Sequence, residues 1–235
     1  MKIFATSDLH GQLEGLNPAG YDLVVIAGDI APLKGFTKWN MYDQKKWIQK
    51  KFVPWMESYP NTQFVFVPGN HDLSLEYERT CRMSGVDWSI RLPENAHMLY
   101  DTGIELFGLK IYGTPWVPII SYMWAFESDH SKLVKKFSKI PEGLDILITH
   151  SPPHIANCTV DFSLQTNYGP FGSNELTQAL YDKQPKYCFC GHIHSGDHTP
   201  FNFNDCTIYN VSRIDESYEI AYEPTTLEIF KDVNS

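Results

Sequence analysis

Phe64-Val65-Phe66-Val67-Pro68-Gly69-Asn70-His71-Asp72 is the stretch whose reading decides the fold. Four apolar residues bounded by turn formers predict a buried strand. Directly beyond it stand an amide, an imidazole and a carboxylate, the composition of an active-site loop at a strand's C-terminal edge. The same construction recurs four times. Residues 3 to 7 precede Asp8-Leu9-His10, residues 23 to 27 precede Gly28-Asp29, residues 144 to 149 precede His150, and residues 187 to 190 precede Gly191-His192-Ile193-His194. Each is a short apolar strand that delivers Asp or His just past its end.

Taken singly, these motifs say little: Gly28-Asp29 reads equally as a turn or a helix cap. Two histidines at i and i+2 after a strand are more specific, and the set in this order is more specific still. Neutral imidazole and carboxylate suit divalent first-row metals, and a carboxylate can bridge two of them. Asp8, His10, Asp29, Asn70, His150, His192 and His194 supply seven candidate ligands from five loops, enough for two ions if Asp29 bridges. Ions about 3.5–4 Å apart can clamp the attacking and leaving oxygens of a phosphoryl displacement and lower the pKa of water toward ~7. The set accepts manganese, iron, zinc or cobalt, with manganese the expected occupant. No thiolate lies in any of the motifs, which argues against a structural zinc site. His97 and His130 read as surface or core histidines, and His198 as a group supporting the ligand loop that precedes it.

A chain of 235 residues, 43% hydrophobic, is long enough to form one domain spanning 1 to 235. A formal charge of -9, with no run of Lys or Arg longer than a pair, gives no electrostatic footprint for gripping long nucleic acid or an anionic membrane, and neither is expected as a partner. A small phosphorylated substrate stays compatible, because bound cations would reverse the local field. The first residues run straight into a strand without a signal-peptide pattern, and no apolar stretch nears the ~20 residues that span a bilayer, so a cytoplasmic protein is expected. Five cysteines at spacings that match no zinc site or disulfide framework agree with a reducing compartment. Oligomeric state is open.

Between the motif strands, an aromatic and a basic face over Trp39, Tyr42, Lys46, Trp47, Lys50 and Lys51 predict a helix, which Pro54 kinks or restarts near Val53. Residues 75 to 83 predict a short helix, and residues 97 to 100, 104 to 107 and 109 to 113 a meander. Residues 114 to 126, rich in aromatics and proline, predict a packed loop with one or two rings lining a pocket. Helices are expected from a Ser128 cap to about residue 139 and from a Ser173 or Asn174 cap to about 183. The stretch from 152 to 172 reads as a functional loop. Residues 207 to 210, 218 to 222 and 226 to 230 read as strands.

Asp-x-His, Gly-Asp, Gly-Asn-His-Asp, a lone His and Gly-His-x-His, in that order over residues 8 to 194, resemble the calcineurin-like metallophosphoesterase superfamily. The resemblance implies an α/β fold, a four-layer αββα sandwich with two central mixed sheets and a binuclear site at their C-terminal edges. It assigns Asp8, His10, Asp29 and His194 to one metal, and Asp29, Asn70, His150 and His192 to the other. His71 then contacts the scissile phosphate and protonates the leaving oxygen, with Asp72 orienting its ring. Phosphoprotein phosphatases differ after Gly-Asp and at the position of Asp72, and purple acid phosphatases carry tyrosine where this chain has Pro32. Closer are the metallophosphoesterase-domain-containing phosphodiesterases, similar at Gly113-Thr114-Pro115-Trp116, Thr149-His150-Ser151-Pro152-Pro153 and Gly172-Ser173-Asn174-Glu175-Leu176. Some of that group lose the first His of the last motif; this chain keeps it as His192. The expected function is therefore a phosphodiesterase acting on small phosphodiesters such as cyclic nucleotides. The alternatives are a phosphomonoesterase or nuclease of the same superfamily, or a non-catalytic binding scaffold.

Overall fold

The computed structural model describes residues 1–35, 38–85, 89–155 and 171–229. In chain order the elements are β1 (Lys2–Thr6), β2 (Leu23–Ala27), α1 (Lys38–Trp47), a π-helical turn (Ile48–Phe52), α2 (Val53–Glu57), β3 (Gln63–Val67), α3 (Leu73–Ser84), β4 (Ala96–Met98), β5 (Thr102–Leu106), β6 (Leu109–Thr114), β7 (Val117–Pro118), β8 (Glu127–Ser128), α4 (His130–Phe137), β9 (Ile146–Thr149), α5 (Asn174–Lys183), β10 (Tyr187–Cys190), β11 (Phe201–Phe203), β12 (Cys206–Asn210) and β13 (Thr225–Glu228). Two mixed sheets result, in the orders β13-β1-β2-β3-β4 and β11-β12-β10-β9-β6-β5. Antiparallel pairing is confined to the edge strands β13, β11 and β5.

Side-chain alternation divides the interior. Leu23, Val25 and Ala27 of β2 pack with Ile146, Ile148 and Phe189 of the facing sheet. Val24 and Ile26 point the other way, into a cluster with Phe52, Met56 and Leu75. Strands buried on both faces need no polar side, which is why they read as unbroken apolar runs. Each buried Val, Leu, Ile, Phe or Met among them contributes ~1.5–3 kcal/mol by leaving water. With α1 against α3 and α4 against α5, the order is helices, sheet, sheet, helices.

Pro54 cannot continue an α-helical ladder, so the chain widens into the π turn and restarts at Val53 with Pro54 in the first turn of α2. Three local expectations need correction. The meander is absent: β4 pairs in parallel with β3, whereas β5 and β6 form a hairpin in the other sheet. Leu99 N still donates to Phe66 O at 2.8 Å, and Asp101, at φ 50°, turns the chain across. The cap of α4 is Asp129, whose side chain accepts from Lys132 N, and not Ser128. Residues 218 to 222 form no strand; the region carries one isolated bridge, Ile214 to Ile220. Most of the loop expected from 152 to 172 falls at 156–170, outside the described residues, as do Cys158 and the end of the strand expected at 226 to 230.

Candidate metal centre

Parallel pairing of β1, β2 and β3, with Thr6 opposite Ile26 and Ala27 opposite Val67, makes their following loops leave one edge side by side. In the second sheet β9 and β10 do the same, and Gly191 N donates to His150 O at 3.0 Å. Ser7 N donates to Val211 O at 2.8 Å and joins the two edges, while Asp8 N to Gly28 O and His10 N to Asp29 O, both 2.9 Å, lace the first loops together. All seven predicted ligands are brought to this place.

Asp29 lies at the middle. Its Oδ2 is 3.6 Å from His10 Nε2, 3.3 Å from His150 Nε2 and 3.9 Å from His71 Nε2. His194 Nε2 is 3.3 Å from Asp8 Oδ1, and Asn70 Oδ1 is 2.9 Å from His150 Nε2. The ring of His192 lies 5.0 Å from that of His150, and its backbone N donates to Asp8. Among the described residues, His, Cys, Asp and Glu donor atoms within 4.8 Å of one another form three groups: Asp8, His10 and His194; Asp8, Asp29 and His150; and His10, Asp29 and His71. His71, placed by the resemblance outside the ligand set, thus comes close enough to join it.

The donor set fits cations. His150 Nδ1 faces Ala27 O at 2.8 Å and His194 Nδ1 faces Asp215 O at 3.2 Å, so a backbone carbonyl holds one nitrogen of each ring and Nε2 turns to the centre. His10 Nε2 is buried with no hydrogen-bond partner, a vacancy in bonding that a cation among these donors would fill. Asp8, His10, Asp29 and His192 hold φ of 54°, 43°, 52° and 72°. For residues with a Cβ this left-handed conformation costs ~1–2 kcal/mol each, and such strain collects at functional sites. Two glycines allow the close approach: a Cβ on Gly69 would run into Asp29 and His150, and one on Gly191 into Ser7 and Asp8.

Burial and opposite charge compete across the cluster. Burial alone would raise the carboxyls of Asp8 and Asp29, but His194 beside the first and His150 and His71 beside the second outweigh it and hold both well below the usual range. Burial would lower His150 and His194, yet Asp29 and Asp8 push them up to about 9. In His10 and His192 burial wins, taking them down to about 4 and about 3. Burial also lowers His71, against the pull of Asp29.

Asp72 is not where the resemblance put it. Its oxygens accept from Ile30 N, Ala31 N and Gly69 N at 2.8–3.1 Å, so it clamps the Asp29 loop to the Gly69 loop and leaves His71 Nδ1 without a partner. The His71 ring is instead stacked on Trp124, 4.2 Å away and inclined by 23°. Trp124 belongs to the loop whose aromatics were expected to line a pocket. Tyr218 escaped the sequence reading: its ring lies 4.9 Å from His10 and 5.5 Å from His194, and only a misread strand marked the segment. Ser7, whose Oγ donates to Asp8, carried no signal beyond its place before a ligand. His198 Nε2 lies 3.1 Å from His194 O, as a supporting group would; His97 bonds Gln63 and His130 pairs with Glu175 away from the centre.

A family model described as calcineurin-like phosphoesterase matches residues 1–196. A UPF0046 protein of Caenorhabditis elegans is 29% identical over 97% of this chain and 81% of its own length. Human metallophosphoesterase domain-containing protein 1 is 30% identical over 83% of this chain, which spans 61% of that protein. Among solved structures, the phosphopantetheinyl hydrolase of Mycobacterium tuberculosis superposes with a TM-score of 0.52 at 13% identity, over 90% of this chain and 88% of that one, a likeness of fold.

Proposed function

We propose, on the premise that the chain belongs to the calcineurin-like phosphoesterase family, that this metal-dependent phosphoester hydrolase is a phosphodiesterase of small substrates, cyclic nucleotides among them. Two ions are inferred, manganese first, one held by Asp8, His10, Asp29 and His194 and the other by Asp29, Asn70, His150 and His192. The observation that carries this reading is the position of Asp29 Oδ2, which faces His10 from one group at 3.6 Å and His150 from the other at 3.3 Å. When bound, such ions supply Lewis acidity to the phosphoryl oxygens and a more acidic water.

The chain's own groups do the rest. His71 turns Nε2 toward the same carboxylate oxygen, 3.9 Å away, and its ring is fixed by Trp124. From there it donates a proton to the departing oxygen. Burial lowers the affinity of His71 for that proton, and the negative charge of a phosphodiester beside it raises it again. Asp72 fixes the two loops that carry Asp29 and Asn70, and Ser7 orients Asp8. The four cysteines among the described residues are buried thiols outside any disulfide, and no helix among these residues is long and apolar enough to cross a membrane. On the first of these observations we infer a cytoplasmic setting.

The test is turnover of bis(p-nitrophenyl) phosphate against p-nitrophenyl phosphate with manganese supplied. Faster hydrolysis of the diester is expected. A monoester preference of about tenfold or more would make the protein a phosphomonoesterase, and no metal-dependent turnover of either would leave the scaffold reading.

A further inference from the structure

Two loops overhang the centre, and each is fastened to its ligands. The first, residues 119–124, ends at Trp124 on the His71 ring. The Glu127 carboxylate accepts from Ile120 N, Ser121 N and Trp124 N, and Ala125 N donates to Asn70 O at 3.0 Å. The second, residues 215–220, carries Tyr218 over His10 and His194, with its ring 6.2 Å from that of His71. Asp215 holds it by accepting from Ser217 N and Glu219 N, its carbonyl faces His194 Nδ1, and Gln12 donates to Tyr218 O at 3.0 Å.

What these tied loops display is apolar. Eleven large apolar side chains are exposed among the described residues, and five of them, Ile120, Tyr122, Met123, Tyr218 and Ile220, stand here. Tyr122 and Tyr218 hold φ of 64° and 63°, a strained conformation for a ring-bearing residue. Apolar side chains gathered on a braced backbone beside a polar cluster mark a surface that receives something. The charged side chains of the second loop, Asp215, Glu216 and Glu219, and Glu127, which braces the first, are all carboxylates, which repel a second anionic group. The two side chains of these loops that touch the histidines of the centre, Trp124 and Tyr218, are aromatic, and rings pack favourably on rings.

We propose that these loops form the wall on which the organic substituent of the phosphorus rests, and that this substituent carries an uncharged aromatic group; the proposal rests on the phosphoester reading above. The substituent on the oxygen that His71 protonates lies along Trp124 and Tyr218, so the wall selects substrates by what is attached to the phosphate.

Equilibrium binding of phenylphosphonate and methylphosphonate to the manganese-loaded full chain tests this without turnover. Both are measured on the wild type and on Tyr122→Ser/Met123→Ser/Tyr218→Ser, whose sites are 82%, 58% and 46% exposed and tolerate polar replacement. The wild type is expected to hold the phenyl compound about tenfold more tightly or better, and the variant to lose most of that ratio. Equal affinity for the two in the wild type overturns the proposal, as does a ratio that survives in the variant. If neither phosphonate binds the loaded chain, the phosphoester reading itself fails and the wall falls with it.

Discussion

Replacing Asp72 by Asn separates two roles for this carboxylate. With the amide oxygen of the variant in the place of Oδ1, the side chain still accepts from Ala31 N at 2.8 Å and Ile30 N at 3.0 Å, but its NH₂ group now meets Gly69 N–H, which loses an acceptor at 2.8 Å. One buried donor left unpaired costs ~1–3 kcal/mol. Part of this is returned, because burial and neighbouring Asp29 push the Asp72 carboxyl up to about 7 and its charged form is itself strained. The lower half of the range is therefore expected, and at about 2–4 °C per kcal/mol for a chain of this size the midpoint falls by roughly 2–8 °C. Asp72→Ala strands all three donors and loses ~3 kcal/mol or more. Thermal unfolding by circular dichroism reads the stability, and kcat on diesters with a poor and a good leaving group reads the chemistry. Clamping predicts a lowered midpoint with the ratio of the two rates unchanged. An Asn variant of wild-type stability whose rate fell selectively on the poor leaving group would show that Asp72 governs the His71 ring.

Other outcomes follow from the same geometry. His71→Asn should keep both ions and lose about 10²–10⁴-fold in kcat on a diester with an alkoxide-like leaving group, with a smaller loss on p-nitrophenolate; equal losses, or lost metal, would make His71 a loop support or a ligand. Asp29→Asn should lower metal content and turnover together, because Oδ2 faces both ligand groups; two ions per chain and normal rates would remove it as the bridge. His150 and His194 sit at about 9 without metal, so below that pH each must give up a proton when an ion arrives. Metal affinity should accordingly rise with pH until it levels off above about 9, and calorimetry at neutral pH in buffers of different ionisation enthalpy should report proton release; the same heat in all buffers would contradict it.

The place of the candidate ligands in the fold was legible because each comes shortly after a strand buried on both faces, where a short apolar run such as residues 23 to 27 or 187 to 190 has few other readings. Less legible was anything set by pairing between distant segments. Residues 96 to 98 look like the start of a meander until β3 takes them in parallel, and a parallel partner leaves no turn signal. Asp72 beside His71 suggested an imidazole partner, but adjacent side chains diverge, and the carboxylate found the backbone of Ile30 and Ala31 across the loop. Trp124 and Tyr218 reach the centre through ring contacts with residues far away in sequence, and the positive φ of Tyr218 has no signature in its neighbours. Ser128 and Asp129 are both good caps, and only the fold chose between them.

Anomalous scattering from crystals of the manganese-loaded protein tests the binuclear centre most directly. Two peaks about 3.5–4 Å apart are expected, with Asp29 Oδ2 between them, His10 and His194 on one side, Asn70, His150 and His192 on the other, and His71 outside both coordination spheres. A single peak, or His71 Nε2 bound to an ion while Asn70 is free, would contradict it.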